Sequence, residues 1–175
     1  ELADVSRPSY DILHANDWPT GLVPTYLRTY YARSLAATGS VFTIHNMAYQ
    51  GRFRWDDFLL TQLPWNLWDY RGVESHDTLC TLKAGITFAD RVTAVSRTYA
   101  EEIKYTHSGH GLQDALIARG SDLRGIVNGI DYGIWDPATD ANLPANYSAD
   151  DLSGKAYCKS HLQRSLGLDE DPAAP

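Results

Sequence analysis

At 175 residues, 43% of them hydrophobic and 21% charged, the chain is of a size and composition for one soluble globular domain with a real core. Lys and Arg number 15 against 22 Asp and Glu, and the net charge of −7 argues against a surface built to hold polyanions. The two cysteines, Cys80 and Cys158, have no CxxC or Cys/His zinc spacing, and no run approaches the about 18 to 20 apolar residues of a membrane span.

The opening "ELADVSRPSY" lacks Met and reads as internal sequence, so no targeting signal can be judged from it. Tyr10 to Ala15 predicts a strand, followed by the polar Asn16-Asp17. From Thr20 a helical spacing runs through Leu22, Val23, Tyr26, Leu27, Tyr30, Tyr31 and Leu35, with Pro24 tolerated in the first turn and Gly39 as the stop. Val41 to Ile44 predicts a second strand that breaks into His45-Asn46. The aromatic stretch 51 to 75 has poor periodicity and predicts short helices and loops, its rings serving core or lid packing rather than a stacking surface.

Leu79 to Ala89 predicts a helix and Arg91 to Val95 a strand. Thr98 to Lys104 predicts a helix capped by Ser96. A short helix from Leu112 to Ala118 leads to a strand over Leu123 to Val127, which ends in "NGID", Asn128 to Asp131. Residues 132 to 149 predict a loop, Leu152 to Leu166 a helix, and "DEDPAAP" a linker.

Short apolar strands alternating with helices predict an α/β fold, an open parallel sheet with helices on both faces. In such sheets ligands gather at the carboxyl ends of the strands. Those ends carry polar groups in series here: Asn16-Asp17, His45-Asn46, Ser96 and Asn128-Asp131.

Dinucleotide GxGxxG loops, GxxxxGK[ST] phosphate loops and GxSxG elbows are absent. His107 and His110 sit in the glycine-rich "HSGHG" and read as a solvated turn, because a metal site needs three or four converging ligands. His45 taken alone has two readings. A strand-end histidine is more often packed and hydrogen-bonded to backbone, and Asn46 and Asn128-Gly129 can each serve a turn.

Longer strings point further. "DILHANDWPTGLVPTYL", "VFTIHNMAYQGRF", "LKAGITFADRVTAVSRTYAEEI", "GHGLQDAL" and "GIVNGIDYGIWDPATD" occur in that order, and "DLSGKAYCKSHLQRSLGL" continues them. Together they resemble bacterial glycogen synthase, the ADP-glucose-using starch synthase type, over residues 10 to 168. The resemblance implies a Rossmann-like glycosyltransferase of two domains. That enzyme moves glucose from ADP-glucose to the non-reducing end of an α-1,4-glucan with retention, in the bacterial cytoplasm, without metal or other cofactor. Its partners are those two substrates, with no nucleic acid and no membrane.

Residues 1–168 then correspond to the later, acceptor-side part of the first domain and 169–175 to the start of the interdomain linker. The family's Lys-x-Gly-Gly-Leu loop would precede Glu1. The second, nucleotide-binding domain would follow Pro175, and the piece alone is expected not to turn over.

By the same resemblance His45 lies beside the transferred glucose as the catalytic histidine. Asp17 and Asn46 hold the acceptor or the transferred sugar, and Asn128 lies near the donor sugar, with Gly129 and Asp131 shaping its loop. "HANDW" carries Asn16 where the family commonly has His. A non-catalytic glucan- or nucleotide-binding half-fold, or another two-domain nucleotide-sugar glycosyltransferase, are the alternatives.

Overall fold

Period-two alternation in Gly39–Ile44 buries Ser40, Phe42 and Ile44 while Gly39, Val41 and Thr43 stay half-exposed, so this segment forms a strand with a core face. The computed structural model describes residues 10–174, and the reading of the first nine residues as internal sequence lies outside them. The chain divides into two compact units, with the boundary between Asn128 and Gly129.

In the first unit β1 (Ile12–Asn16) and β2 (Gly39–Ile44) flank the short helix α1 (Val23–Arg28). Two-residue β3 (Arg52–Phe53) and β4 (Glu74–Ser75) follow, then β5 (Thr78–Cys80), α2 (Thr81–Phe88) and β6 (Arg91–Ala94). Helices α3 (Arg97–Glu102), α4 (Thr106–Gly109) and α5 (Gln113–Ala118) lead to β7 (Leu123–Gly125). The main sheet has the order β1-β2-β6-β7, every neighbouring pair parallel. The expected parallel α/β sheet is therefore present.

Its three crossovers step in one direction, and right-handed connections then put the intervening helices of this unit on one face, where the sequence reading expects helices on both. The core agrees. Ala15, Phe42, Ile44, Val92, Ala94 and Leu123 from the strands pack with Leu82 and Ile86 of α2, Ala100 of α3 and Leu116 of α5. Removing an aromatic ring of this kind from water stabilises the fold by about 1.5–3 kcal/mol.

The opposite face is polar where the strands meet. His14 Nε2 lies 2.7 Å from Thr43 Oγ1, which lies 2.7 Å from Thr93 Oγ1.

Several elements differ from the sequence reading. The segment expected as one long helix to Leu35 keeps helical geometry only to Arg28. The Thr29 hydroxyl donates to the Thr25 carbonyl at 2.8 Å, and Tyr31 N–H bonds five residues back, to Tyr26. Gly39 opens β2 rather than stopping a helix, its N–H donating to the Asp11 carbonyl at 2.8 Å.

Leu79 and Cys80 belong to β5 instead of the start of α2, because Cys80 N–H pairs with the Val73 carbonyl in a small antiparallel sheet, β3-β5-β4. No periodicity in the sequence predicts this sheet. β7 stops at Gly125, two residues early. After Ile126 N–H reaches the Ala94 carbonyl, β6 has ended and offers no further partner.

Within 51 to 75 the expected short helices exist as two 3-10 segments, Trp55–Thr61 and Trp65–Leu67. Phe58 is buried between Trp65 and Trp68 at 5.1 and 5.2 Å. Lys83 of α2 is 7% exposed and donates to the carbonyls of Tyr70 and Glu74, tying this loop to the helix.

The second unit contains α6 (Ser153–Ser165), as expected within a residue at each end, and the irregular 132–149. There Asn146 Nδ2 donates to the carbonyls of Pro137 and Asp140.

Candidate active site

Parallel order puts the carboxyl ends of β1, β2, β6 and β7 along one edge. In open parallel sheets that edge is where polar groups can converge without breaking the core. Asn16-Asp17 leave β1, His45-Asn46 leave β2, Ser96 follows β6, and Asn128 stands three residues beyond β7.

Asn16 and His45 meet. The Asn16 Oδ1 lies 3.1 Å from His45 Nε2, and both side chains are exposed at the rim. Asn16 is fixed from behind by Thr20, whose hydroxyl accepts from Asn16 N–H at 2.6 Å and donates to its carbonyl at 2.7 Å.

Asp17 follows with φ 58° and ψ 179°, a backbone region in which L residues are strained. Its N–H is held by the Thr43 carbonyl at 2.8 Å, and its Oδ1 caps the next 3-10 turn by accepting from Trp18 N–H at 2.9 Å. The second carboxylate oxygen has no hydrogen-bond partner among the described residues.

Asn46 Oδ1 accepts from Ala48 N–H at 2.9 Å, which makes the turn, while its Nδ2 donors face solvent. That turn is anchored by Met47, which is fully buried, with its N–H bonded to the Tyr99 hydroxyl of α3 at 2.9 Å.

Ser96 is the helix cap the sequence predicts, accepting from Tyr99 N–H at 3.3 Å. Asn128 is exposed, and no hydrogen bond joins it to Asp17, His45 or Asn46 among the described residues. The four expected site residues thus lie at or just beyond strand ends along this edge, and no hydrogen bond joins one to another among the described residues.

Beyond Asn46 the chain lines a cavity of about 550 Å³, with Trp18, Tyr49 and Phe53 as aromatic walls and Gln50, Arg52 and His110 as polar ones. Gln50 is nearly buried. Its Nε2 donates to the His110 carbonyl at 3.0 Å and its Oε1 accepts from Arg52 Nε at 2.9 Å. The Arg52 guanidinium also donates to the Ser75 carbonyl, the Ser75 hydroxyl and the Thr78 hydroxyl, at 2.8, 3.2 and 3.0 Å.

Gly51 closes the loop at φ +59°, where an added Cβ would stand 2.2 Å from Thr81 Oγ1. No larger residue fits there. Such a cavity, apolar in its walls with a few fixed polar groups, suits a polyhydroxylated ligand that stacks and hydrogen-bonds at once.

Sequence reasoning missed Asn16 as the partner of His45, Gln50 as the cavity's brace and Tyr99 as the anchor of the loop. Only Tyr99 left a usable signal, its place three residues past a helix cap. Among the described residues no three His, Cys, Asp or Glu side chains group closely enough to hold a metal ion, and His107 and His110 are both exposed. No helix among them is long and apolar enough to cross a membrane.

Comparison with known proteins places the chain in a family. The family described as starch synthase catalytic domain matches residues 1–118. A glycogen synthase from Anaeromyxobacter sp. is 56% identical over 166 residues, 94% of this chain and 35% of that protein. Those from Myxococcus xanthus and Leptothrix cholodnii are 51% and 47% identical over 93% and 100% of this chain, and over 35% and 37% of their own lengths.

Among solved structures, the catalytic domain of starch synthase IV from Arabidopsis thaliana bound to ADP and acarbose superposes with a TM-score of 0.74. Identity is 36%, covering 94% of this chain and 34% of that one. The chain thus spans about a third of the length of the relatives it matches. The chain belongs to the starch synthase catalytic domain family.

Proposed function

We propose that the protein carrying this chain is an ADP-glucose-dependent glycogen synthase of the bacterial cytoplasm. It extends the non-reducing ends of α-1,4-glucans with retention of anomeric configuration. The observation that carries the reading is the hydrogen bond between His45 and Asn16 at the strand-end rim, with Asp17 next to Asn16 in the chain, beside a cavity with aromatic walls. Residues 1–168 belong to the acceptor-side part of the first catalytic domain, with 169–175 beginning the linker to a nucleotide-binding domain.

Retaining transfer from a nucleotide sugar passes through an oxocarbenium-like state as the diphosphate departs. The site must orient hydroxyls and exclude water while positive charge builds at the anomeric carbon. His45 hydrogen-bonds the transferred glucose through its imidazole, a ring that can donate or accept. Asp17 and Asn46 bind sugar hydroxyls through the free carboxylate oxygen and the free amide N–H groups. The glucan acceptor runs through the cavity past Trp18, Tyr49 and Phe53. Asn128 contacts the donor sugar. The reaction uses no metal; leaving-group charge is met by cationic side chains of the nucleotide-binding domain.

A donor panel on the full-length protein tests this: glycogen with ADP-glucose, UDP-glucose or sucrose, each with and without EDTA. The expected result is glucan elongation fastest with ADP-glucose and indifferent to the chelator. Elongation from sucrose alone, or glucan binding with no turnover, overturns the reading in favour of another transferase or a binding module.

A further inference from the structure

We propose that Asn16 is a positioning residue that biases the His45 imidazole toward the tautomer with its proton on Nε2, leaving Nδ1 as a lone-pair acceptor for a sugar hydroxyl. The role for Nδ1 rests on the glycosyl-transfer reading above; the state of the ring does not. The geometry is a single hydrogen bond, 3.1 Å from Asn16 Oδ1 to His45 Nε2, and His45 has no other hydrogen-bond partner among the described residues.

Two features fix that bond on the Asn16 side and one on the His45 side. Asn16 is the last residue of β1, in register with Thr43 of β2, and Asp17 N–H then closes on the Thr43 carbonyl at 2.8 Å. The Asn16 N–H and carbonyl are both tied to the Thr20 hydroxyl, at 2.6 and 2.7 Å. His45 lies two residues past Thr43, so its side chain leaves on the same face of the sheet as Asn16. The two side chains are thus neighbours by strand pairing, not by the flexing of a loop.

The residue type matters as much as the place. An amide oxygen accepts and does not titrate, so of the two neutral tautomers it selects the one with the proton on Nε2. A carboxylate in its place would favour the imidazolium, a cation unwelcome beside an anomeric carbon that is itself becoming positive. The opposite amide orientation would present an N–H to His45 and demand the proton on Nδ1. The proposal therefore fixes one of two distinguishable states.

The test is nitrogen NMR of the full-length protein labelled with imidazole-15N histidine, the His45 signals assigned by their loss in His45→Gln, run beside steady-state kinetics. Wild type is expected to show a single Nε2–H tautomer with a directly visible Nε2 proton. Asn16→Leu, similar in size without an acceptor, should lose that proton signal to exchange and lower kcat about tenfold, the worth of one hydrogen bond, with little change in KM. Asn16→Asp, which can only accept and favours the imidazolium, should restore the visible Nε2 proton together with a proton on Nδ1.

A ring protonated on Nδ1 in wild type overturns the proposal. So does an Asn16→Leu protein with an unchanged His45 spectrum, or one with unchanged kcat. If the full-length protein transfers no glucose at all, the functional reading fails, while the NMR arm still decides whether Asn16 holds the ring.

Discussion

Gly85 rests directly on the ring of Phe42: a Cβ at Gly85 would stand 2.5 Å from two of its carbons. The bare backbone lets α2 settle onto β2, the strand that delivers His45 to the rim. Gly85→Ala gains about 1 kcal/mol of helix propensity but forces the ring or helix to move, and overpacking of this kind costs about 1–3 kcal/mol. The expected outcome is a net loss of about 1 kcal/mol in urea denaturation. Phe42→Ala should lose about 3–5 kcal/mol.

His45→Ala is expected to act on chemistry and not on the fold. The side chain is exposed and contributes one rim hydrogen bond, so stability should stay within about 0.5 kcal/mol of wild type. In the full-length protein kcat is expected to fall by about 100-fold or more, as when one well-placed group at a developing charge is removed. Parallel thermal melts and initial rates with ADP-glucose check both halves, and unchanged turnover would remove His45 from the mechanism.

Asp17 holds a strained backbone at φ 58° and ψ 179°, a conformation only glycine adopts freely. Asp17→Gly relieves about 1–3 kcal/mol of strain and gives back a few tenths through the lost cap on Trp18. The chain should therefore melt at higher temperature while the full-length enzyme loses affinity for its glucan or donor. Differential scanning calorimetry and the KM values for the two substrates read the opposed effects.

Lys83 gives a pH signature. Burial pushes its ammonium below the ordinary lysine range, against the partial attraction of Glu74, Cys80 and Asp69. A lysine whose folded pKa is depressed binds fewer protons folded than unfolded, so stability rises as pH climbs from the depressed value toward the ordinary one. Below that window the burial penalty is fully present. Denaturation of wild type and Lys83→Met at several alkaline pH values should show wild type gaining on the variant as pH rises. A constant difference would mean that the ammonium is not desolvated.

Much of the fold could be read in the sequence because the strands are short apolar runs with punctuated ends. Ser96 and the helix that it caps are cases in which local chemistry decides. The long helix expected through Leu35 misled because Tyr30 and Tyr31 keep a helical spacing while lying exposed on irregular turns. The β3-β5-β4 sheet was invisible for a different reason. Its strands are two or three residues long and exist through pairing, with no periodicity to detect.

The same limit governs the site. His45, Asn46 and Asp17 were legible as polar strand ends, and their family resemblance gave them tasks. The bond between Asn16 and His45 spans 29 positions and follows only from strand register. Gln50 was hidden because a buried amide bracing an arginine has no local signature at all.

The strand β2 couples core and rim by parity. Even-numbered residues Phe42 and Ile44 are fully buried, and odd-numbered Thr43 continues to His45 on the far side. Inserting or deleting a single residue within the strand would exchange the two sets, turning His45 into the core and Phe42 into solvent. Length variation in this strand can therefore come only in steps of two. The sidedness of the rim is thus inherited from hydrophobic burial several residues away, and a folded chain carries it without any interaction at the rim itself.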